Sequence, residues 1–198
     1  MERLTDTQQT IIAEEVQLVK SILDGHTACF RRFIDCYAST VQMFVGRFLS
    51  QQEDVEEVTQ DVFLTAYQSL QRFDKEKASF KTWLLRIAYH CALKHLRHEP
   101  QIIFVEMEDV EMEALSDGET AALLGDTTPD RLTLLRKAIS QLAPDDQMLI
   151  SLYYYDGHPL REIAYIVERT DTYLSSRLQW LRKKIHQTVI HLERNERY

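Results

Sequence analysis

The sequence predicts an all-α protein built from two small helical domains, and three observations support this prediction. Glycine and proline are scarce, with five and four copies in 198 residues, so few turns interrupt the chain. Apolar residues recur at spacings of three and four, whereas the alternation typical of strands is almost absent. An acidic stretch over residues 99–130 lies between the two helical parts. Its like charges repel one another and favour an extended linker.

The distribution of charge supports the same division. The net charge of the chain is −8, yet residues 99–130 alone carry 10 acids and no Lys or Arg. Residues 1–98 have a net charge of −1 and residues 131–198 a net charge of +3. We therefore predict an N-terminal helical bundle over 1–98, an acidic linker over 99–130 and a C-terminal helix-turn-helix domain over 131–198. A low overall pI does not exclude a nucleic-acid partner for such a chain.

Two core helices are expected at the start of the N-terminal domain. The first spans residues 11–24 and is closed by Gly25, a residue type that commonly follows a helix. The second spans residues 27–49, and its aromatic and aliphatic residues, Ile34 among them, recur at the spacing of a buried helix face. We interpret both helices as packing elements that carry no chemistry.

A third helix is expected over residues 54–70, and its outer face is acidic. Asp54 lies in the first turn, where a carboxylate interacts favourably with the helix dipole. The side opposite the apolar residues collects Glu57, Gln60, Asp61 and Leu64. A leucine at the centre of an acidic face is typical of a surface that docks another protein. An ordinary solvated face with one exposed leucine is the alternative.

The stretch from Lys77 to His98 contains no acid and interleaves aromatic with basic residues. At about 100° per residue, one stripe of this predicted helix is apolar and suited to a core. Another stripe carries Trp83, Arg86, His90, Lys94 and Arg97. This second stripe is either a solvated basic face or a surface for a polyanion.

The C-terminal domain has the pattern of a helix-turn-helix. Helices are expected over 131–142, 146–155 and 160–167, followed by a long basic helix after residue 171. The first residues of such a final helix reach base edges, and its later bases reach phosphates. The candidates for these contacts are Thr172, Tyr173, Ser176, Arg177, Trp180, Lys183 and Lys184. Packing against a neighbouring helix is the alternative for Trp180.

Other functional classes find little support in the sequence. A glycine-rich phosphate loop, a nucleophile elbow and an HExxH motif are all missing, so we expect no catalysis, cofactor or small-molecule substrate. Cys91, His95 and His98 share a helix face, but structural metal sites usually pair ligands at short spacings on turns, so no metal is expected. No apolar run reaches the roughly 18 residues of a membrane span and no signal peptide is visible, which predicts a cytoplasmic protein without membrane insertion.

The order and spacing of these segments resemble the extracytoplasmic-function class of sigma factors, which are bacterial transcription initiation factors. The resemblance covers residues 16–185 and rests on three segments. DVEEVTQDVFLTAYQSLQRFD, residues 54–74, is similar to the class's helix that binds core RNA polymerase. FKTWLLRIAYHCALKHLR, residues 80–97, is similar to its promoter-melting segment. Residues 142–185, which begin with LAPDDQMLISLYYYDGHPL, are similar to its helix-turn-helix domain.

The resemblance implies partners and residue roles. Asp54 and the outer face of the third helix would dock on the clamp helices of the polymerase's largest subunit, and the final helix would read the minus-thirty-five element of promoter DNA. The acidic linker would follow the RNA exit path, and an anti-sigma factor would hold the protein inactive. The loop before residue 80 and the helix after it would capture the melted minus-ten strand. The candidates for strand capture are Phe73, Lys77, Phe80, Lys81, Trp83, Arg86, His90, Lys94 and Arg97.

Some positions depart from the pattern of the class. Tyr89 and His90 stand where Arg and Asn are common, and Glu168 and Arg169 stand where the turn usually has glycine and an aliphatic residue. These departures leave the promoter sequence open. The alternative function is a helix-turn-helix regulator whose residues 1–98 form a sensor or dimerisation module and do not bind core polymerase.

Overall fold

The structure is a computed structural model that describes residues 6–98 and 129–195, and the regular secondary structure of these residues is helical. The α-helices in this part of the chain are α1 Asp6–Leu23, α2 Arg31–Val45, α3 Gln52–Gln68, α4 Phe80–His98, α5 Pro129–Ser140, α6 Pro144–Ile150, α7 Leu160–Val167 and α8 Asp171–Asn195. Short 3-10 turns cover Thr27–Phe30 and Leu70–Arg72, and a π-helical turn covers Ser151–Tyr155. The all-α prediction is confirmed.

The helices agree with the predicted ones, but several bounds differ. The helix expected over 27–49 is divided, because a 3-10 turn precedes α2 and α2 ends at Val45. The helix expected over 146–155 begins instead at Pro144, at a position where a helix does not need the missing N–H of proline. The predicted linker over 99–130 lies outside the described residues, except for its last two, with which α5 begins.

An aromatic cluster joins α2 to the start of α4. Phe80 is completely buried, and its ring stacks on that of Phe33 with 3.8 Å between centroids and 12° between planes. Phe73 and Trp83 each place their ring centroids 5.5 Å from that of Phe80. Such pairs contribute roughly 0.5–1.5 kcal/mol each beyond their buried area. The cluster therefore fixes the first turn of α4 within the N-terminal domain.

The C-terminal domain packs α7 and α8 as a helix-turn-helix over a buried core. Met148, Leu152, Ile163 and Leu181 have no exposed surface in this core. Between α7 and α8, Glu168 adopts the left-handed conformation, with φ of 56° and ψ of 47°. Residues other than glycine rarely take this conformation.

Helix α4 is the centre of the structure. One side of α4 packs against α2 and α3, and another side packs against α6 and α7 of the C-terminal domain. The two domains therefore share α4 as a common packing element. Among residues 6–98 and 129–195, no helix has both the length and the apolar character that a membrane crossing requires.

Candidate nucleic-acid and protein interfaces

Polar contacts hold the beginning of α4 in place. The Ser79 hydroxyl oxygen accepts a hydrogen bond from the Thr82 backbone N–H at 3.1 Å, which is the contact of a helix N-cap. The Glu15 carboxylate, from α1, accepts hydrogen bonds from the Tyr37 hydroxyl and from the Phe80 backbone N–H. Burial raises the pKa of Glu15 above its ordinary value. Local sequence patterns could not identify Glu15 as a positioning residue, because its partners Tyr37 and Phe80 lie far along the chain.

The aromatic candidates for strand capture belong to the core. Trp83 is only 6% exposed and Phe80 is fully buried, whereas Phe73 is half-buried at the edge of the same cluster. The helical projection placed Trp83 on the basic stripe. The structure buries it instead, because α4 is packed on more than one side. In this conformation Phe80 and Trp83 do not present their rings to a ligand.

The basic candidates form a strip along the surface of α4. Lys81, His90, Lys94 and Arg97 are exposed, and Arg86 is half-buried. Lys77, in the preceding loop, is exposed as well, and its ammonium lies 3.3 Å from the Asp74 carboxylate. This strip is the part of the predicted set that a nucleic acid could reach.

Part of this strip contacts the C-terminal domain. The Arg86 guanidinium donates a hydrogen bond to the Glu168 carboxylate, and the His90 ring Nε2 lies 3.3 Å from the second oxygen of the same carboxylate. The Tyr89 hydroxyl donates to the Asp145 carboxylate at 3.0 Å. Burial and the nearby Asp145 raise the pKa of Tyr89, so its hydroxyl remains a donor at neutral pH.

His90 illustrates the balance of electrostatic effects at this contact. Burial lowers the pKa of His90 below its ordinary value. The Glu168 carboxylate acts in the opposite direction and raises it, while the cations Arg86, Arg169 and Arg97 lower it further. The net shift is downward, so the domain contact favours the neutral imidazole.

The outer face of α3 is open to solvent. Glu57, Gln60 and Asp61 are exposed, and Leu64 is 55% exposed among them. Asp54 differs from the rest of the set, because its carboxylate lies 3.7 Å from the His95 ring of α4. The structure thus places four of the five predicted docking residues on one accessible surface and turns Asp54 towards α4.

An apolar groove of about 590 Å³ runs beside this face, between α2 and α3. Its lining includes Ile34, Ala38, Phe63, Leu64 and Tyr67. We expected Ile34 in the core, but its side chain is 38% exposed, and Tyr67 is 40% exposed. The projection of a single helix cannot reveal such a groove, because its two walls come from different helices.

Helix α8 exposes most of the side chains that were predicted to contact DNA. The Thr170 hydroxyl oxygen accepts a hydrogen bond from the Tyr173 backbone N–H at 3.2 Å and caps the helix. Exposed positions then follow along one side of α8, with Lys184 half-buried beside them. These exposed positions are Thr172, Tyr173, Ser176, Trp180 and Lys183.

Arg177 is held within the C-terminal domain. Its guanidinium donates two hydrogen bonds, each of 2.7 Å, to the Asp146 carboxylate, which is 5% exposed. The guanidinium carbon also lies 4.2 Å from the centroid of the Trp180 ring, and the Lys184 ammonium lies 4.9 Å from it. The hydrogen bonds to Asp146 raise the pKa of Arg177. The sequence did not indicate this pair, because Asp146 and Arg177 lie 31 residues apart.

In the described part of the chain, no three His, Cys, Asp or Glu side chains converge as a metal site would require. Cys91 is half-buried in α4, and burial raises the pKa of its thiol. The side chain of His98, the third residue of the possible metal set, lies outside the described residues.

Comparison with known sequences connects the chain with one protein family. Residues 33–100 match the family model of sigma-70 region 2. The chain is 31% identical over 183 residues to the ECF RNA polymerase sigma-E factor of Escherichia coli K12, covering 87% of this chain and 92% of that protein. It is 28% identical over 164 residues to the RNA polymerase sigma-H factor of Pseudomonas aeruginosa, covering 78% and 83% of the two chains.

Two solved structures share the fold at 18% sequence identity. CnrH, in complex with the cytosolic domain of CnrY, matches with a TM-score of 0.58 over 88% of this chain and 96% of that chain. The sigma factor RpoE of Bartonella quintana, in complex with the anti-sigma factor NepR, matches with a TM-score of 0.51 over 81% and 96%. On the strength of the sequence relatives, the chain belongs to the extracytoplasmic-function family of RNA polymerase sigma factors.

Proposed function

We propose that this alternative sigma factor binds core RNA polymerase through the outer face of α3 and binds promoter DNA through α4 and α8. Residues 1–98 would carry polymerase binding and minus-ten recognition, residues 131–198 would read the minus-thirty-five element, and residues 99–130 would link them. The observation that supports polymerase docking most directly is Leu64, which is 55% exposed at the centre of an acidic face.

The α3 face combines an apolar anchor with charges that select a partner. Fully burying a leucine contributes about 1.5–3 kcal/mol, so covering the exposed half of Leu64 contributes about 1 kcal/mol. Glu57 and Asp61 would steer a basic partner surface and fix its register more than they add affinity. Ile34 and Tyr67 extend the apolar surface into the neighbouring groove.

The DNA contacts divide between two helices. On α4, the basic strip would follow the phosphates of the non-template strand, with the half-buried Phe73 available at its edge. On α8, Thr172, Tyr173 and Ser176 would reach base edges, because they occupy the first turns of the helix. Lys183 and Lys184 would contact phosphates. We assign Arg177 a positioning role through Asp146, because the guanidinium already donates two hydrogen bonds, from Nε and from one Nη, to that carboxylate.

We also propose a protein inhibitor as a partner. The solved structure of CnrH contains the cytosolic domain of CnrY, and that of the Bartonella sigma factor RpoE contains the anti-sigma factor NepR. On this chain, the apolar groove between α2 and α3 lies beside the docking face. An inhibitor bound there would compete with polymerase for Leu64.

Reversing one charge tests polymerase docking. Asp61→Lys should weaken binding to purified core polymerase by about tenfold, because like charges at an interface repel. Gel filtration of mixtures measures this binding, and thermal unfolding should show no change. Glu14→Lys is the matched control, since Glu14 is an exposed acid on α1. Failure of the unmodified chain to associate with core would contradict the proposal and favour the regulator alternative. An equal effect of both variants would remove the role of the α3 face.

Removing two bases tests strand capture. Lys94→Ala combined with Arg97→Ala should leave polymerase binding intact and reduce promoter opening, measured by permanganate reactivity of unpaired thymines. Both side chains are exposed, so the fold should be unaffected. Lys20→Ala, an exposed base on α1, serves as the control. Unchanged permanganate reactivity in the double variant would show that α4 does not hold the strand.

A further inference from the structure

The loop before α4 has an ordered backbone. We call residues 73–79 the capture loop, because the melted minus-ten strand is expected along it and along α4. Within the loop the Asp74 carboxylate accepts a hydrogen bond from the Glu76 backbone N–H at 3.0 Å, a turn that Asp commonly forms. At its end Ser79 caps α4 through the contact with Thr82. The loop is therefore ordered from within, and its last residue depends on the first turn of α4.

The first turn of α4 takes a carboxylate from another helix. The first four N–H groups of a helix have no partner within it, and an acid placed there interacts favourably with the helix dipole. Helix α4 has no acid in its first turn, where Lys81 adds a positive charge. Instead, the Glu15 carboxylate of α1 accepts a hydrogen bond from the Phe80 N–H. Glu15 thus supplies the anion that α4 itself lacks.

Tyr37 of α2 fixes the position of Glu15. Its hydroxyl donates a hydrogen bond to the Glu15 carboxylate, and its ring centroid lies 5.7 Å from that of Phe80. Both Glu15 and Tyr37 are half-buried. Hydrogen bonds to a charged acceptor are also stronger than those between neutral groups. Helices α1, α2 and α4 therefore meet at one carboxylate.

The aromatic ring that opens the capture loop depends on the same turn. Phe73 is half-buried, and its ring centroid lies 5.5 Å from those of Phe80 and Trp83. Phe80 and Trp83 both belong to the first turn of α4. A shift of that turn would therefore move Phe73 and the capture loop relative to the basic strip on α4. Through Phe80, Glu15 is connected with the place that the strand would occupy.

We propose that Glu15 is a positioning residue for promoter opening. By accepting the hydrogen bond of the Phe80 N–H, it holds the first turn of α4 and the capture loop in the conformation that receives the melted strand. This inference rests on the proposed role of α4 in strand capture. Glu15 contacts no nucleotide in this role. Its effect is preorganisation, which favours binding because the loop is ordered before the strand arrives.

Four variants of the full chain test this hydrogen bond. Glu15→Ala removes the acceptor, whereas Glu15→Gln removes the charge and keeps an acceptor oxygen. Tyr37→Phe removes only the hydroxyl and keeps the ring that packs against the core. Glu14→Ala is the matched control, with the loss of an equal charge at the neighbouring, exposed position of α1.

Promoter opening is measured by permanganate reactivity on a DNA fragment that the unmodified chain and core polymerase transcribe. Glu15→Ala should lower opening about tenfold, the size expected for the loss of one charged helix cap. Tyr37→Phe should lower it less, and Glu15→Gln and Glu14→Ala should leave it close to that of the unmodified chain.

Two further measurements accompany the opening assay. Binding to core polymerase should be the same for all four variants, because other side chains form the outer face of α3. Hydrogen exchange at the Phe80 amide reports the contact itself, and it should be faster in Glu15→Ala but not in Glu14→Ala.

Three results would overturn the positioning role. The first is equal opening by Glu15→Ala and Glu14→Ala. The second is a loss of opening in Glu15→Gln as large as in Glu15→Ala, because the amide oxygen still accepts the hydrogen bond. The third is a parallel loss of polymerase binding in Glu15→Ala, which would identify a contact that only supports the fold.

The double variant Lys94→Ala with Arg97→Ala separates this inference from the proposed function. If the double variant opens the fragment as well as the unmodified chain does, strand capture by α4 is refuted, and the positioning role with it. If the double variant fails to open the fragment while Glu15→Ala opens it fully, only the positioning role is refuted.

Discussion

Replacing Arg177 with alanine should destabilise the C-terminal domain by about 2 kcal/mol. Asp146 is only 5% exposed, so water cannot fully replace the two hydrogen bonds that the guanidinium donates. Removing one partner of a buried ion pair costs about 3–5 kcal/mol. The Arg177 side chain is 33% exposed, so water reaches part of the site and the loss should be smaller than for a fully buried pair, about 2 kcal/mol. For a domain of this size the Tm should fall by about 8–16 °C.

Thermal unfolding of the full chain measures the effect, and hydrogen exchange locates it. Amide protection should fall in α6 and α8, which the pair connects, and remain unchanged in α2 and α3. Arg177→Lys should lie between the two extremes, because lysine keeps the charge but cannot form the bidentate contact. Ser176→Ala, a neighbouring exposed position, should change stability by less than about 0.5 kcal/mol. Unchanged stability of Arg177→Ala with selective loss of promoter binding would refute the positioning role and identify Arg177 as a base reader.

Three further predictions concern the N-terminal domain and its contact with α7. Phe80→Ala should lower the free energy of unfolding by about 3–5 kcal/mol in urea denaturation, because it leaves a cavity against Phe33; a change below about 1 kcal/mol would contradict its burial. Burial lowers the pKa of His90 in the fold, so the stability that depends on its neutral form is present above about pH 6.5 and is lost as the pH falls below it. The Tm of the unmodified chain should therefore fall more between about pH 7.5 and 5.5 than that of His90→Gln, and an equal fall in both would contradict this. Burial raises the pKa of Glu15, so its ionisation costs stability as the pH rises through that pKa. Glu15→Gln should therefore be at least as stable as the unmodified chain at pH 7, and a Tm lowered by more than about 5 °C would contradict this.

The sequence predicted the helices well because their formation depends on local spacing. The helix from Leu160 to Val167 was predicted with its observed bounds, and its apolar positions form the buried face. The outer face of α3 was also accessible to prediction, since an exposed leucine among acids is visible in one helical projection. These features depend on residues three or four apart, which a helix brings together whatever the rest of the chain does.

Features that depend on distant partners were not predictable. Arg177 and Asp146 are 31 residues apart, and Arg86 and Glu168 are 82 residues apart, so no local pattern connects them. Trp83 was assigned to the basic stripe, because a helical projection assumes one buried side and α4 has more than one. The groove between α2 and α3 was missed for the related reason that two helices form its walls.

Transcription by purified components tests the central claim most directly. Core RNA polymerase is mixed with the chain and with a pool of promoter-containing DNA fragments, and the 5′ ends of the transcripts are mapped. Activity as a sigma factor predicts a limited set of start sites that core alone does not use, and loss of those transcripts with Asp61→Lys but not with Glu14→Lys. The same start sites with and without the chain would contradict the account.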